Sequence, residues 1–440
     1  MEKKIEEISK KFLEKIKDKE VEIISHFDTD GICSATIMIK TLKKLDKKFS
    51  LKIIKSLEEE FIYSLPKDKI ILFLDLSSGS LEHLANSSLN LENIFIIDHH
   101  EISKKIPENI NILNPELWDK QKISSSGLTY LFCKKIDNSN KEFAKLAVLG
   151  MIGDCLEKEI DKLNNEILEE GEIQKRRGLL IYPSTRPINL TLEYSSNPYI
   201  PGITGNAKGV TEMLREIGIT VKNGKYPSLM ELNEDEMSRL VTAIMLRNPK
   251  TKYEEIIGDI FLIKLFNKLE DARELSAVIN ACSRLGRTDT AMQVCMEIPK
   301  AKKSAEAIHA KYKQHLISGL KFVDETEKIE GRGFVIINAH DKIKDTLIGT
   351  IASILSNSAL YEEGTIITTM ANYDNKIKIS SRTVGRNGRN VREVLNQIIL
   401  KIGGEVGGHD CAAGAIINQE KENEFINNLK KSLEIELVKI

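Results

Sequence analysis

Three short stretches bring acids and imidazoles close enough in sequence to converge on a cation: His26-Phe-Asp28-Thr-Asp30-Gly31, Asp75-Leu-Ser-Ser-Gly79 and Asp98-His99-His100. Carboxylates and imidazoles without a thiolate suit a hard or borderline divalent ion, Mn2+ first and Mg2+ second. Asp28 and Asp30 are two apart in a turn, so both can reach one ion or two adjacent ions, and Gly31 permits a tight backbone beside them. A fourth carboxylate, Asp154, closes an apolar stretch, where it needs a partner or a metal to offset desolvation. Each has a plainer reading when taken singly. Asp30 caps a helix, Asp75 ends a strand, Asp98 caps the next element beside two surface histidines, and Asp154 is an exposed helix end. A cap, however, leaves His26 and Asp28 without work, and three strand ends with the same pattern argue against coincidence.

The elements that must position these groups follow from periodicity. Apolar residues at 5, 8, 12 and 16 make residues 2 to 18 an amphipathic helix. Val21 to Ser25, Lys69 to Leu74 and Ile94 to Ile97 are short runs rich in branched residues without helical period, hence buried strands, with a weaker strand at Leu51 to Ile54. In open α/β sheets ligands gather outside the carboxyl ends of the strands, where these acids fall. A helix is expected from Ala35 to Leu45 and another from about Glu142 to Ile152. Ser124-Ser-Ser126-Gly127 opens the apolar segment Leu128 to Cys133 and reads as a helix N-terminus. Its free amides suit a phosphate at Ser126, with an ordinary cap as the equal alternative.

From Glu157 to about Glu330 helical periodicity dominates: residues 156 to 170, 207 to 217, 234 to 246, 253 to 269, 271 to 285, 288 to 298 and 303 to 323. The loop Asn197-Pro-Tyr-Ile-Pro201-Gly202-Ile-Thr-Gly205 breaks it. Mixed character returns after Gly331, with strands at Gly333 to Asn338, Thr365 to Ala371 and Lys376 to Ser381 and a helix at Ile343 to Ser356. Arg382, Arg386 and Arg389 lie among glycines, either as forked phosphate contacts or as a solvated basic turn. Gly403-Gly-Glu-Val-Gly407-Gly408-His409-Asp-Cys-Ala412-Ala413-Gly414 requires close backbone approach, to a strand or to a ligand. A tight turn explains its glycines but not the imidazole at its apex.

Composition excludes several classes. With 64 basic and 65 acidic residues the chain has no wholesale basic coat, and six scattered cysteines with no CxxC pair offer neither a zinc knuckle nor a disulfide framework. The N-terminus lacks a signal-type apolar core and no run reaches the roughly 20 apolar residues that span a bilayer. The expectation is a cytoplasmic protein without a membrane partner. A length of 440 residues implies two or three domains. We expect an α/β protein divided as 1–156, a helical connector 157–300, a linker helix 301–330 and a smaller α/β domain 331–440.

The order of these motifs resembles the DHH phosphoesterase superfamily, in its RecJ-like, archaeal branch. His26-Phe-Asp28-Thr-Asp30-Gly31 looks like its first motif, Asp75 its second, Asp98-His99-His100 its third and Asp154 its fourth. Gly407-Gly408-His409 with Ala412-Ala413-Gly414 looks like the signature of the DHH-associated domain. The usual glycine of the second motif is displaced here by Ser77-Ser78 before Gly79. The segments Asn197 to Asn206 and Asn280 to Arg287 resemble features of the archaeal proteins.

The resemblance implies a two-lobed, metal-dependent single-strand exonuclease acting on DNA and on RNA in repair or replication. It implies two ions: one held by His26, Asp28 and Asp75, the other by Asp30, Asp75, His99 and Asp154. His100 would face the phosphate, Asp98 would orient an imidazole, and Arg382, Gly407, Gly408 and His409 would grip the nucleotide. Two rivals are a nano-RNase or 3'-phosphoadenosine 5'-phosphate phosphatase, and a replication-fork component bound to the GINS complex with secondary nuclease activity. Inorganic pyrophosphatases share the first four motifs but not the His409 signature.

Overall fold

A computed structural model of the chain describes every residue except 103–104, 119, 159, 196–197, 199, 249–252, 359, 386 and 436–440. Its elements run α1 (Glu2–Lys15), β1 (Val21–His26), α2 (Thr29–Lys44), β2 (Phe49–Ile54), α3 (Glu59–Tyr63), β3 (Ile70–Leu74), α4 (Leu81–Asn86), β4 (Ile94–Ile97), β5 (Asn111–Leu113), α5 (Ser125–Ile136), α6 (Ala144–Gly153), α7 (Lys162–Glu170) and β6 (Gln174–Leu179). Then come α8 (Ile188–Glu193), α9 (Ala207–Glu216), α10 (Glu234–Arg247), α11 (Tyr253–Ile256), β7 (Ile257–Leu265), β8 (Lys268–Asp271), α12 (Ala272–Arg284), α13 (Thr288–Cys295) and α14 (Pro299–Glu325). The chain closes with β9 (Ile329–Gly331), β10 (Phe334–Asn338), α15 (Asp345–Ser356), β11 (Ile366–Tyr373), β12 (Lys376–Thr383), α16 (Val391–Ile402), β13 (Glu405–Gly408), β14 (Ala412–Asn418) and α17 (Glu422–Ile435).

Two compact units result, Met1–Gly178 with Asp259–His309, and Leu179–Gly258 with Ala310–Ile440. The expected divisions at 157, 301 and 331 therefore do not mark the units. The last part of the supposed connector, with β7, β8, α12 and α13, packs with the N-terminal domain. Residues 257–271 also correct the helix expected from Tyr253 to Leu269. Ile260 to Ile263 is a continuous buried apolar run, which periodicity alone cannot assign to helix or strand, and β7 pairs antiparallel with β8 from Leu262↔Asp271 to Leu265↔Lys268.

The first unit is built on a five-stranded sheet in the order β2-β1-β3-β4-β5, parallel throughout. Alternate residues feed two cores, as a sheet covered on both faces requires. Ile23, Leu72 and Phe95 join the core formed with α1, α2, α5 and α6, while Ile24, Phe73 and Ile96 join the one on the other face. Helix α2 starts at Thr29, inside the first motif, six residues before the expected start.

In the second unit, Leu179–Gly258 forms its own apolar cluster around Leu192, Met213 and Leu240. Residues 329–418 form a six-stranded sheet, β13-β14-β12-β11-β10-β9, in which only β10 and β11 run parallel. The glycine-rich stretch is thus a hairpin, with Gly407 opposite Gly414 and Gly408 opposite Ala413.

Candidate metal centre

Register decides which side chains meet. Ser25 pairs with Leu74 and Leu74 with Ile97, so the next residues, His26, Asp75 and Asp98, emerge at one level along one edge of the sheet. Asp28 caps α2, accepting from the Gly31 amide at 3.0 Å, so the cap is Asp28 and not Asp30. Asp154 is the C-terminal cap of α6. Asp75 itself has φ of 61° and Ser77 has φ of 88°. Non-glycine residues there carry strain of order 1–3 kcal/mol, typical of functional turns. The serine standing in for a glycine thus takes the glycine conformation.

The donor atoms form three overlapping groups, each within 4.8 Å: His26-Asp28-Asp75, Asp30-His99-Asp154 and Asp75-His99-His100. Asp75 is 1% exposed and belongs to two of them, Oδ2 lying 3.3 Å from His26 Nδ1 and Oδ1 3.6 Å from His99 Nε2. His26 Nδ1 is 2.9 Å from Asp28, and His99 Nε2 is 3.3 Å from Asp154. Asp75 Oδ2 and Asp154 Oδ2 are buried without a hydrogen-bond partner, and buried His26 Nδ1 has only the neighbouring acids beside it. An unsatisfied buried polar atom costs about 1–3 kcal/mol, so such atoms within the donor groups fit a missing cation.

Charge points the same way. Burial, and then Asp28 and Asp30, push the Asp75 carboxyl well above the usual carboxylate range; burial, Asp30 and Asp75 do the same to Asp154. Burial opposes the charged form of Asp28 too, but His26 outweighs it and holds Asp28 low. His26 is raised, Asp28 overcoming the effect of burial, whereas burial lowers His99. The pocket holds more acid than its imidazoles can balance.

His100 is held differently. Its Nδ1 lies 2.7 Å from Asp98 Oδ1, and Asp98 Oδ2 accepts from the Ser78 amide at 2.9 Å. Asn114 donates to the His100 carbonyl at 2.8 Å and to Ser78 Oγ at 2.9 Å. Burial disfavours the imidazolium, but the Asp98 bond outweighs it and pushes His100 up to about 9. Asp98, kept low chiefly by His100 against its own burial, therefore orients this imidazole and not His99.

The anion at the N-terminus of α5 is a carboxylate. Asp30 accepts the amides of Ser125 at 2.7 Å and Ser126 at 3.0 Å, and Ser125 Oγ donates to Asp75 at 2.9 Å. Ser126 is fully buried, its hydroxyl donating to the Ala147 carbonyl at 3.1 Å. The phosphate expected at Ser126 is thus replaced by Asp30, because a helix N-terminus accepts whichever anion the fold brings. Sequence reading missed Ser78, Asn114 and Ser125. The serine run was the available signal, read toward the wrong anion.

The remaining expected residues belong to the second unit. Arg382, on β12, is half-buried and donates to Ser353 Oγ at 3.0 Å and the Ser381 carbonyl at 2.9 Å. It pairs with Ala412, beside the Gly408–Ala413 pair, so Arg382 and exposed His409 lie at one end of the two strands that flank β14. Gly408 has φ of 120°, and a Cβ there would collide with the Ala412 carbonyl. Gly407 needs no special conformation, and a Cβ there would meet open space. Arg386 and Asn197 lie outside the described residues.

Sheet, donor groups and glycine hairpin define a DHH-type protein, and family models agree. They match the DHH family N-terminal domain over residues 20–151, a DHH-CID domain over 181–256 and a DHHA1 domain over 332–434. The chain belongs to the DHH superfamily and has a RecJ-like fold.

An uncharacterized protein of Methanocaldococcus jannaschii is 29% identical over 97% of this chain and 96% of its own length. RecJ of Thermus thermophilus in complex with Mn2+ matches at TM-score 0.62 and 16% identity, covering 98% of this chain but 55% of RecJ. CDC45 of Entamoeba histolytica matches at TM-score 0.69 and 13% identity, covering 98% and 99%. At these identities the structural matches speak for the fold. Among the described residues no helix is long and apolar enough to cross a membrane.

Proposed function

We propose that this protein is a divalent-metal-dependent phosphoesterase that degrades single-stranded nucleic acid, DNA with RNA as a further substrate, from an end to mononucleotides. The observation that carries the reading is buried Asp75, shared between two of the three donor groups, with its Oδ2 left without a hydrogen-bond partner, as is Asp154 Oδ2 in the third. His26, Asp28 and Asp75 would hold one ion, and Asp30, Asp75, His99 and Asp154 the other, with Mn2+ preferred over Mg2+. Such a pair, when bound, supplies a nucleophilic water at neutral pH and offsets charge on the phosphate.

The chain's own residues prepare that chemistry. The α5 amides fix Asp30, Ser125 fixes Asp75, and Asp98 keeps a proton on His100, which then donates to a phosphate oxygen. Arg382, the Gly407-Gly408 backbone and His409 grip the nucleotide phosphates, the open space beside Gly407 suiting a ligand that approaches the backbone. The likeness to a RecJ described in complex with Mn2+ supports the choice of metal.

The test is digestion of 5'- and 3'-labelled DNA and RNA single strands with Mn2+, beside the Asp154→Ala variant. Loss of degradation in the variant is expected; equal degradation overturns the reading. A second reading, a replication-fork component bound to GINS-type proteins through residues 181–256, is favoured by the DHH-CID match and the CDC45-like fold. Under it, co-purification with fork proteins persists in Asp154→Ala.

A further inference from the structure

Thr29 stands between Asp28 and Asp30 and is completely buried. Its amide is the first of α2, so no carbonyl of that helix can accept from it. Asn280, 251 positions along the chain on α12, does so: its Oδ1 accepts the Thr29 N–H at 3.0 Å. One turn earlier Ser276 closes the junction, its carbonyl accepting from Thr29 Oγ1 at 3.1 Å and its hydroxyl donating back to Thr29 Oγ1 at 3.3 Å. The end of α6 arrives at the same place. A Cβ on Gly153 would lie 2.8 Å from Thr29 Cβ and 3.5 Å from Ser276 Oγ, so α6 delivers Asp154 by packing a bare glycine on this junction. Helix α12 therefore braces both the turn that carries Asp28 and Asp30 and the helix end that carries Asp154.

Asp28 and Asp30 fall in different donor groups, His26-Asp28-Asp75 and Asp30-His99-Asp154. Thr29 is the only residue between them, and rotation of either of its peptides changes their separation. We propose that Asn280 is a positioning residue that, by holding the Thr29 amide, sets the spacing between the two cation subsites. The proposal rests on the metal-centre reading above. Asn280 touches no ligand itself; it acts as partners behind a metal's ligands act, by fixing their geometry.

The test uses the full chain, Mn2+ alone as the probe in titration calorimetry, and thermal unfolding in EDTA. Asn280→Leu keeps the size and removes the acceptor, whereas Asn280→Asp keeps an acceptor oxygen. Thr29→Pro removes the donor at a first helical position, where proline is tolerated, behind an Asp28 already extended at φ −79°, ψ −175°. Asn280→Leu is expected to weaken Mn2+ binding about 10- to 100-fold, the range for partners behind a metal's ligands. Asn280→Asp should stay close to wild type, and the Asn280→Leu/Thr29→Pro pair should be no worse than the weaker single variant.

A merely structural tie would lower the unfolding temperature in EDTA while leaving Mn2+ affinity as in wild type, and that result overturns the proposal. Should Asn280→Leu fail to fold, Thr29→Pro alone must show the affinity loss. A wild type that binds no Mn2+ overturns the metal-centre reading together with this one. A wild type that binds, with variants that bind equally, overturns this one alone.

Discussion

Strand β1 carries a buried charged site at each end, and the chain treats the two in opposite ways. Near the amino end, Glu22 has a side chain only 5% exposed, yet it is surrounded by donors. Ser50, its register partner on β2, donates its hydroxyl, and Lys52 and Lys69 approach to 3.2 and 3.3 Å. Burial would raise the Glu22 carboxyl, but Ser50, Lys52 and Lys69 together hold it below its ordinary value. At the carboxyl end, Asp28, Asp30, Asp75, Asp98 and Asp154 crowd together. Among the described residues none of them is paired with a lysine or arginine. Where a buried charge serves the fold, the sequence provides its counter-charge; where it is left in excess, the counter-charge must come from outside.

The sharpest way to break this contrast is to neutralise one acid at the carboxyl end. Asp75→Asn should lower the proposed nuclease activity by more than about 10³-fold, beyond the loss from one electrostatic donor, since two donor groups lose their common member. The same change should raise the unfolding temperature of the metal-free protein, because it removes a carboxyl whose ionisation burial and its acidic neighbours oppose. A variant that is inactive but less stable without metal would mean that Asp75 is satisfied within the chain, and the contrast would fail.

Metal addition sharpens the contrast next. A ligand that binds only the folded state stabilises by about 2.7 kcal/mol at a hundred times its dissociation constant. Denaturant unfolding with Mn2+ against EDTA should show that gain in wild type and lose it in Asp75→Asn. No gain in wild type would remove the outside counter-charge from the argument. At the other end of β1, Glu22→Gln should cost about 1–2 kcal/mol, discounted for the half-exposed lysines, with metal affinity and activity unchanged. An activity loss there would blur the two ends into one site.

Much of the carboxyl end was legible because its chemistry is local. A strand followed by an acid can be read from ten residues, and three in succession place the sheet edge. What escaped reading was set by contacts far apart in sequence. Nothing near Ser125 says that its amide will meet Asp30, 95 positions away, and nothing near Asn280 announces Thr29. The three-residue β5 is too short to show alternation. The apolar run of β7 reads equally well as a buried helix, so the strand pair 257–271 and its place in the N-terminal unit were lost together. The glycine hairpin was legible as close approach but not as two strands, since Gly407 and Gly408 carry no strand propensity and pair only because Ala413 and Gly414 lie opposite.

The smallest effect separates the two ends by sign. At the carboxyl end of metal-free protein, Asp75 and Asp154 are raised, so above the ordinary carboxylate pKa near 4 the folded chain keeps protons that the unfolded chain has released. Stability from these two is present at low pH and lost as pH rises through their folded values. His26 and His100 add in the same direction above about 6.5, with His100 losing its share as pH passes about 9, while the lowered His99 opposes them. Glu22 has the reverse sign: its folded value is depressed, so its contribution is present above about 4.5 and lost only as pH falls below. Urea unfolding in EDTA at pH 5, 6, 7 and 8 should therefore show stability declining with pH in wild type and declining less in Asp154→Asn. Glu22→Gln should keep the wild-type slope, its own loss appearing as a constant offset across this window. Saturating Mn2+ should remove the decline, because the ion takes the place of the protons. A flat or rising profile in EDTA would mean that the acids at the carboxyl end are as well paired as Glu22, and the case for an external cation would lose its electrostatic basis.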